Sequence, residues 1–177
     1  RRDFLKRLSL AVGATTAAAL VTEQNMAQAM YFHQLEGSGK RKHDLFNDTQ
    51  KAGLFEVCDT ILPRTDTPSA TEADCHNFVE HQLVHCHSEQ DQANCKAALD
   101  FIESHARKAL SNSYTALTAE EKADLLNSVE KLDGFNEQQK QQFKTLKVLI
   151  IFGYFTSEIG ATQALNYQFV PGGYKGS

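Results

Sequence analysis

Residues 143–155, FKTLKVLIIFGYF, carry apolar side chains around almost the whole circumference of a helix. Phe143, Leu146, Leu149, Ile150 and Gly153 follow helical spacing, and Val148, Ile151, Phe152 and Tyr154 fill the remaining sides. A helix that is apolar nearly all round must be covered on nearly all sides. The run is too short to cross a bilayer, which takes about 20 residues. It therefore predicts the central helix of a small bundle, opened by Asn136.

Four further helices supply the cover. From Thr49, residues Leu54, Val57, Cys58, Ile61 and Leu62 form one apolar stripe, and Pro63 ends it because the residue before a proline is pushed out of helical geometry. Thr71 is the expected cap of a second helix carrying Phe78, Val79, Leu83 and Cys86. Ser88 is expected to cap a third, with Cys95, Leu99, Ile102, Ala106 and Leu110 on its inner face. Thr118 with Glu121 forms a capping box for a fourth, carrying Leu125, Leu126, Val129 and Leu132 and stopped by Gly134. No alternating run is long enough for a sheet. The expectation is an all-α, single-domain bundle of about five helices over 49–155, preceded by a polar spacer at 30–48 and followed by an extended Gly/aromatic tail at 156–177.

A net charge of −4, without a basic stripe interleaved with aromatics, argues against nucleic acid as a partner. Lys40-Arg41-Lys42 is read as a solvated charge run.

The first 29 residues have the three parts of an export signal. Arg1-Arg2-Asp3-Phe4-Leu5-Lys6 resembles the twin-arginine motif, Leu8–Val21 is a mildly apolar stretch, and Ala27-Gln28-Ala29 is a small-x-small cleavage site. This predicts a periplasmic protein exported by the twin-arginine translocase, a route that carries folded cargo. In an exported chain four cysteines favour disulfides. Pairing Cys58 with Cys75 and Cys86 with Cys95 is the easiest of three connectivities, with reduced core thiols or a bond to a partner chain left open.

No catalytic motif stands out: there is no nucleophile elbow, phosphate loop, dinucleotide fingerprint or haem attachment site. Glu120-Glu121 sits in a first helical turn, where the helix dipole accounts for it. Asp66 is expected to accept bonds from the backbone of Thr65 or Thr67, the usual turn role. The segment from Cys75 to Cys95 concentrates Cys75, His76, His81, His85, Cys86, His87 and Cys95, and His81 and His85 stand one helical turn apart. That cluster supports an alternative reading, a stand-alone periplasmic helical protein that binds a metal there, although its spacing matches no standard metal motif.

The block LFEVCDTILPRTDTP (54–68) and the ending GYFTSEIGATQALNYQFVPGGYKG resemble the small (gamma) subunit of membrane-bound, flavin-dependent gluconate 2-dehydrogenase and related sugar dehydrogenases. The family pattern is an Ile-Pro-x-Thr-Asp-Thr-Pro turn, then Tyr-Thr-Ser-Glu-x-Gly-Ala, a Tyr, and Pro-Gly-x-Tyr. Here those positions are Ile61–Pro68 with Leu62 inserted, Phe155–Ala161 with Phe in place of the first Tyr, Tyr167, and Pro171–Tyr174. The Cys/His cluster is not part of this pattern. The resemblance implies a non-catalytic subunit without a cofactor of its own, membrane-associated only through its complex. FAD would sit in a large catalytic subunit and haem c in a multihaem cytochrome subunit. The small subunit would carry the export signal and escort the folded flavoprotein. Phe155, Tyr167, Phe169, Pro171 and Tyr174 are then expected to lie along the flavoprotein, because exposed aromatics of this size are characteristic of interfaces.

Overall fold

The computed structural model describes residues 22–35 and 43–165. The export-signal residues Arg1, Arg2, Phe4, Leu5 and Lys6, and the tail residues Tyr167, Phe169, Pro171 and Tyr174, lie outside them. The described residues form six α-helices and no strand: α1 (Glu23–Gln34), α2 (Asp48–Ile61), α3 (Cys75–Cys86), α4 (Glu89–Ala109), α5 (Ala119–Lys131) and α6 (Glu137–Thr156). A 3-10 turn (Tyr114–Ala116) separates α4 from α5, and a π turn (Gly160–Ala164) follows α6. The all-α bundle of five helices expected from residue 49 onward is what α2–α6 form, and α1 adds a sixth.

Local chemistry sets most of the boundaries. Asn47, Ser88, Thr118 and Asn136 each cap a helix in a reciprocal box with the residue three positions on, so two otherwise unpaired backbone N–H groups are satisfied at each start. Leu132 and Gly134 take left-handed backbone angles and stop α5. Two boundaries depart from the sequence expectation. Thr71 does not cap α3: its N–H donates to Asp59 Oδ1 at 3.0 Å, residues 71–74 form turns, and the helix begins only after Asp74, at φ 58°. Leu110 is not an inner-face residue but the C-cap of α4, and it is exposed.

Helix α6 is the centre. Phe143, Leu146, Leu149, Ile150 and Phe152 are all fully buried, and Val148, Ile151 and Tyr154 nearly so. Removing the five fully buried side chains from water contributes on the order of 10 kcal/mol, an upper figure because an unfolded chain is already partly collapsed. The helix packs most extensively against α4 and α3. At Gly153 the α3–α6 approach is close: a Cβ there would lie 2.5 Å from Phe78 Cδ1. Bonds between helices outline the rest: Lys122 pairs with Glu56 at 2.7 Å, linking α5 to α2, and Tyr114 Oη donates to Thr60 Oγ1 at 3.1 Å.

Residues 30–34, expected within a spacer, are the second half of α1. Thr22 caps the helix, and Phe32 buries itself edge-on against Phe78, ring centroids 5.4 Å apart. Ala29, the last residue of the expected cleavage site, is fully buried. At the other end, the expected extended tail begins with a folded turn. Ser157 Oγ donates to the Tyr154 carbonyl at 2.6 Å and accepts from Gly160 N–H at 3.0 Å. A Cβ on Gly160 would fall 1.9 Å from the Tyr154 carbonyl oxygen, so only glycine fits there.

Candidate functional site

The two sequence blocks that carry the family resemblance meet in space. The chain leaves α2 at Leu62, runs through the Pro63–Pro68 turn and returns so that Ala70 N–H donates to the Leu62 carbonyl at 3.0 Å. Glu72 holds the turn closed by accepting from Ser69 N–H at 2.8 Å and by pairing with Arg64. Asp66 plays a smaller role than expected, accepting from the Thr65 hydroxyl at 2.9 Å rather than from a backbone N–H. Across the fold, Tyr154 Oη donates to the Pro68 carbonyl at 2.8 Å. One hydrogen bond therefore ties the Pro-flanked turn to the end of the central helix, from which the Ser157–Gly160 turn launches the C-terminal residues. Phe155, expected to face a partner, is half-buried, packs against the chain's own core and sits edge-on to Tyr154 at 5.4 Å.

The Cys/His segment does not come together as one cluster. Cys58, Cys75 and Cys95 are fully buried and Cys86 partly so, and all four are free thiols. The expected Cys86–Cys95 bond fails on geometry. Cys86 ends α3 at the turn, whereas Cys95 stands six residues into α4, about 9 Å up its axis. A disulfide needs Cα atoms within about 7 Å. Cys58 and Cys75 are free as well, although they are near enough in the core for Cys75 to add to the upward push on Cys58. Burial pushes every one of these thiols up, Cys95 to about 12 with Asp91 adding to it, so they stay protonated and are poor nucleophiles and poor metal ligands. His76 and His87 stand apart from one another, beside Asp74 (3.6 Å) and Asp91 (3.7 Å) respectively. Burial lowers both, against the pull of those carboxylates.

His81 and His85 do come together, with a residue the sequence pattern could not nominate. His43, 38 positions earlier, brings Nε2 to 3.1 Å from His81 Nδ1, and one ring nitrogen from each of His43, His81 and His85 lies within 4.8 Å of the others. His43 is placed from both sides. Lys51 Nζ donates to its carbonyl at 2.7 Å, and the N–H groups of Leu45 and Phe46 donate to the buried carboxylate of Glu80 at 2.8 and 3.1 Å. Lys51 also lies 3.8 Å from that carboxylate, which offsets its desolvation. The i, i+4 histidine pair was visible in the sequence; the third ring, Glu80 and Lys51 were not, because nothing periodic relates them.

No catalytic constellation accompanies these features among the described residues. The most developed cavity, about 410 Å³ beside α2 and α4, is lined by Gln50, Asp100, Glu103 and Arg107 among others. Those groups are already paired: Gln50 Nε2 donates to Asp100 Oδ1 at 2.8 Å and Arg107 Nε to Glu103 Oε1 at 2.6 Å. No helix among the described residues is long and apolar enough to cross a membrane.

Compared with known proteins, residues 48–172 match the model of one family, described as gluconate 2-dehydrogenase subunit 3. The match spans α2–α6, the Pro63–Pro68 turn and the C-terminal block as far as Gly172, two residues short of Tyr174. Neither the curated proteins nor the solved structures yield a match.

Proposed function

This chain belongs to the gluconate 2-dehydrogenase subunit 3 family, and we propose that it is the non-catalytic small subunit of a periplasmic, membrane-associated dehydrogenase that oxidises a sugar or sugar acid. Its partners are a large FAD-bearing catalytic chain and a multihaem cytochrome c, and its task is to bind, stabilise and escort the flavoprotein through the twin-arginine pathway. The observation that carries the reading is the family match over 48–172, which includes the Pro-flanked turn and most of the C-terminal block that Tyr154 joins to it. The Arg1-Arg2-Asp3-Phe4-Leu5-Lys6 start supports the export role. The pairing of Gln50 with Asp100 and of Arg107 with Glu103 in the cavity beside α2 and α4 is in keeping with an accessory one.

The surface assigned to the flavoprotein is the end of the molecule where Tyr154 meets the Pro63–Pro68 turn, together with the sequence-assigned tail residues Tyr167, Phe169, Pro171 and Tyr174. Deleting residues 166–177 tests this. The bundle is expected to keep its helical circular dichroism while co-purification of the flavoprotein is lost; full binding by the shortened chain would refute the assignment. Replacing Arg1-Arg2 by Lys-Lys tests the escort role. The expected result is retention of both chains in the cytoplasm, and normal periplasmic dehydrogenase activity in that variant would contradict it.

A further inference from the structure

Three imidazoles converge at the junction of the segment before α2 with the outer half of α3, and no substrate, flavin or haem is needed to explain the rest of the fold around them. His81 is 1% exposed and its Nε2 is buried without a hydrogen-bond partner, although a buried polar nitrogen left unpaired costs about 1–3 kcal/mol. Its other nitrogen faces His43 at 3.1 Å. His85 lies tilted 4.5 Å from His81 and edge-on 5.3 Å from His43, ring centroid to centroid, and is exposed.

We propose that His43, His81 and His85 form a binding site for a borderline divalent transition-metal cation, with zinc as the reference ion. Two observations carry it: the three nitrogens within 4.8 Å of one another, and the pinning of His43 on both sides of its peptide. Tetrahedral zinc with Zn–N bonds near 2.0–2.1 Å separates its donors by about 3.3 Å. The His43–His81 pair is already at that spacing, and the exposed His85 ring closes the remainder by side-chain rotation. An all-imidazole set suits zinc, copper or nickel and disfavours calcium or magnesium, which take oxygen ligands. Water supplies the fourth position on the His85 side. The bound ion would staple the segment at His43–Phe46 to α3, on the same side as the buried Glu80.

The test is zinc titration of the tag-free full chain by calorimetry, with cobalt(II) as the spectroscopic probe. One equivalent is expected to bind, cobalt giving the intense visible bands of a tetrahedral site, and zinc raising Tm reversibly with EDTA. His43→Gln and His85→Gln change partly exposed residues that leave the core intact, and each is expected to lower affinity at least tenfold with unchanged circular dichroism. Absence of saturable binding, or binding that survives both substitutions, overturns the proposal.

Discussion

Replacing Gly153 by alanine tests whether α6 is held in contact with α3 as tightly as the structure shows. Two effects oppose each other. In a helix interior alanine is favoured over glycine by about 1 kcal/mol, through the lower entropy cost of ordering its backbone. Against this, the new Cβ would meet Phe78 at 2.5 Å from Cδ1, 3.0 Å from Cγ and 3.1 Å from Cε1, well inside ordinary van der Waals contact. The ring cannot step aside cheaply. Phe32 stands edge-on to it at 5.4 Å, Phe152 at 5.7 Å, and His33 stacks on it at 5.4 Å. Overpacking of this kind costs about 1–3 kcal/mol, so the clash wins and Gly153→Ala is expected to be destabilising by about 1 kcal/mol. In Phe78→Leu, which removes the ring, the same substitution should become neutral or stabilising. The coupling between the two sites is therefore about 1–2 kcal/mol. Urea unfolding followed at 222 nm measures all four corners of this cycle. A Gly153→Ala chain as stable as its parent, or zero coupling, would show that α3 and α6 do not meet in this way.

Other outcomes follow from single contacts. Tyr154→Phe removes the bond to the Pro68 carbonyl and should cost about 1 kcal/mol, with little effect beyond it because water can reach that carbonyl; urea midpoints decide this. Maleimide labelling without reductant should modify only Cys86 in the native protein and all four cysteines after denaturation, and two or more unreactive cysteines in denaturant would reinstate a disulfide. Glu103 accepts from Tyr114 N–H, Arg107 and Ser113, and although its burial acts the other way these bonds hold its carboxyl below the usual range. Its contribution is present above pH 4.5 and is lost as pH falls through the lower folded value. Glu103→Gln should thus be about 1–2 kcal/mol less stable at neutral pH, with the gap closing in acid. Finally, Ala29 and Phe32 are buried, so peptide mapping of the exported chain should still recover α1; a sole N-terminus at Met30 would show that α1 is dispensable.

Helices α2–α6 were legible because their signals are local. Reciprocal caps at Ser88, Thr118 and Asn136, the stop before Pro63 and the all-round apolar run of α6 each act within one or two turns. What escaped was set by distance in sequence. Thr71 has the right chemistry for a cap, yet its hydroxyl pairs with Ser69 and its N–H with Asp59, twelve residues earlier, and the helix starts only after Asp74. Residues 30–34 look like a spacer because only Phe32 is strongly apolar, and it is the contact with Phe78 that gives the helix its place. The disulfide expectation rested on positions near turns, while pairing depends on how far along its axis each helix carries its cysteine. The histidine centre was half visible: His81 and His85 share a face by spacing, and His43 joins them only because Glu80 and Lys51 fix its peptide. The Tyr154–Pro68 bond gives the two resemblance-bearing blocks a common location that no spacing rule supplies.

Native mass spectrometry of the two co-expressed chains tests most directly whether the chain works as the small subunit bound to an FAD-bearing dehydrogenase. A one-to-one complex that retains FAD is expected, lost when residues 166–177 are deleted from this chain. Two separate species, with the flavoprotein folded, exported and fully active in the absence of this chain, would contradict it.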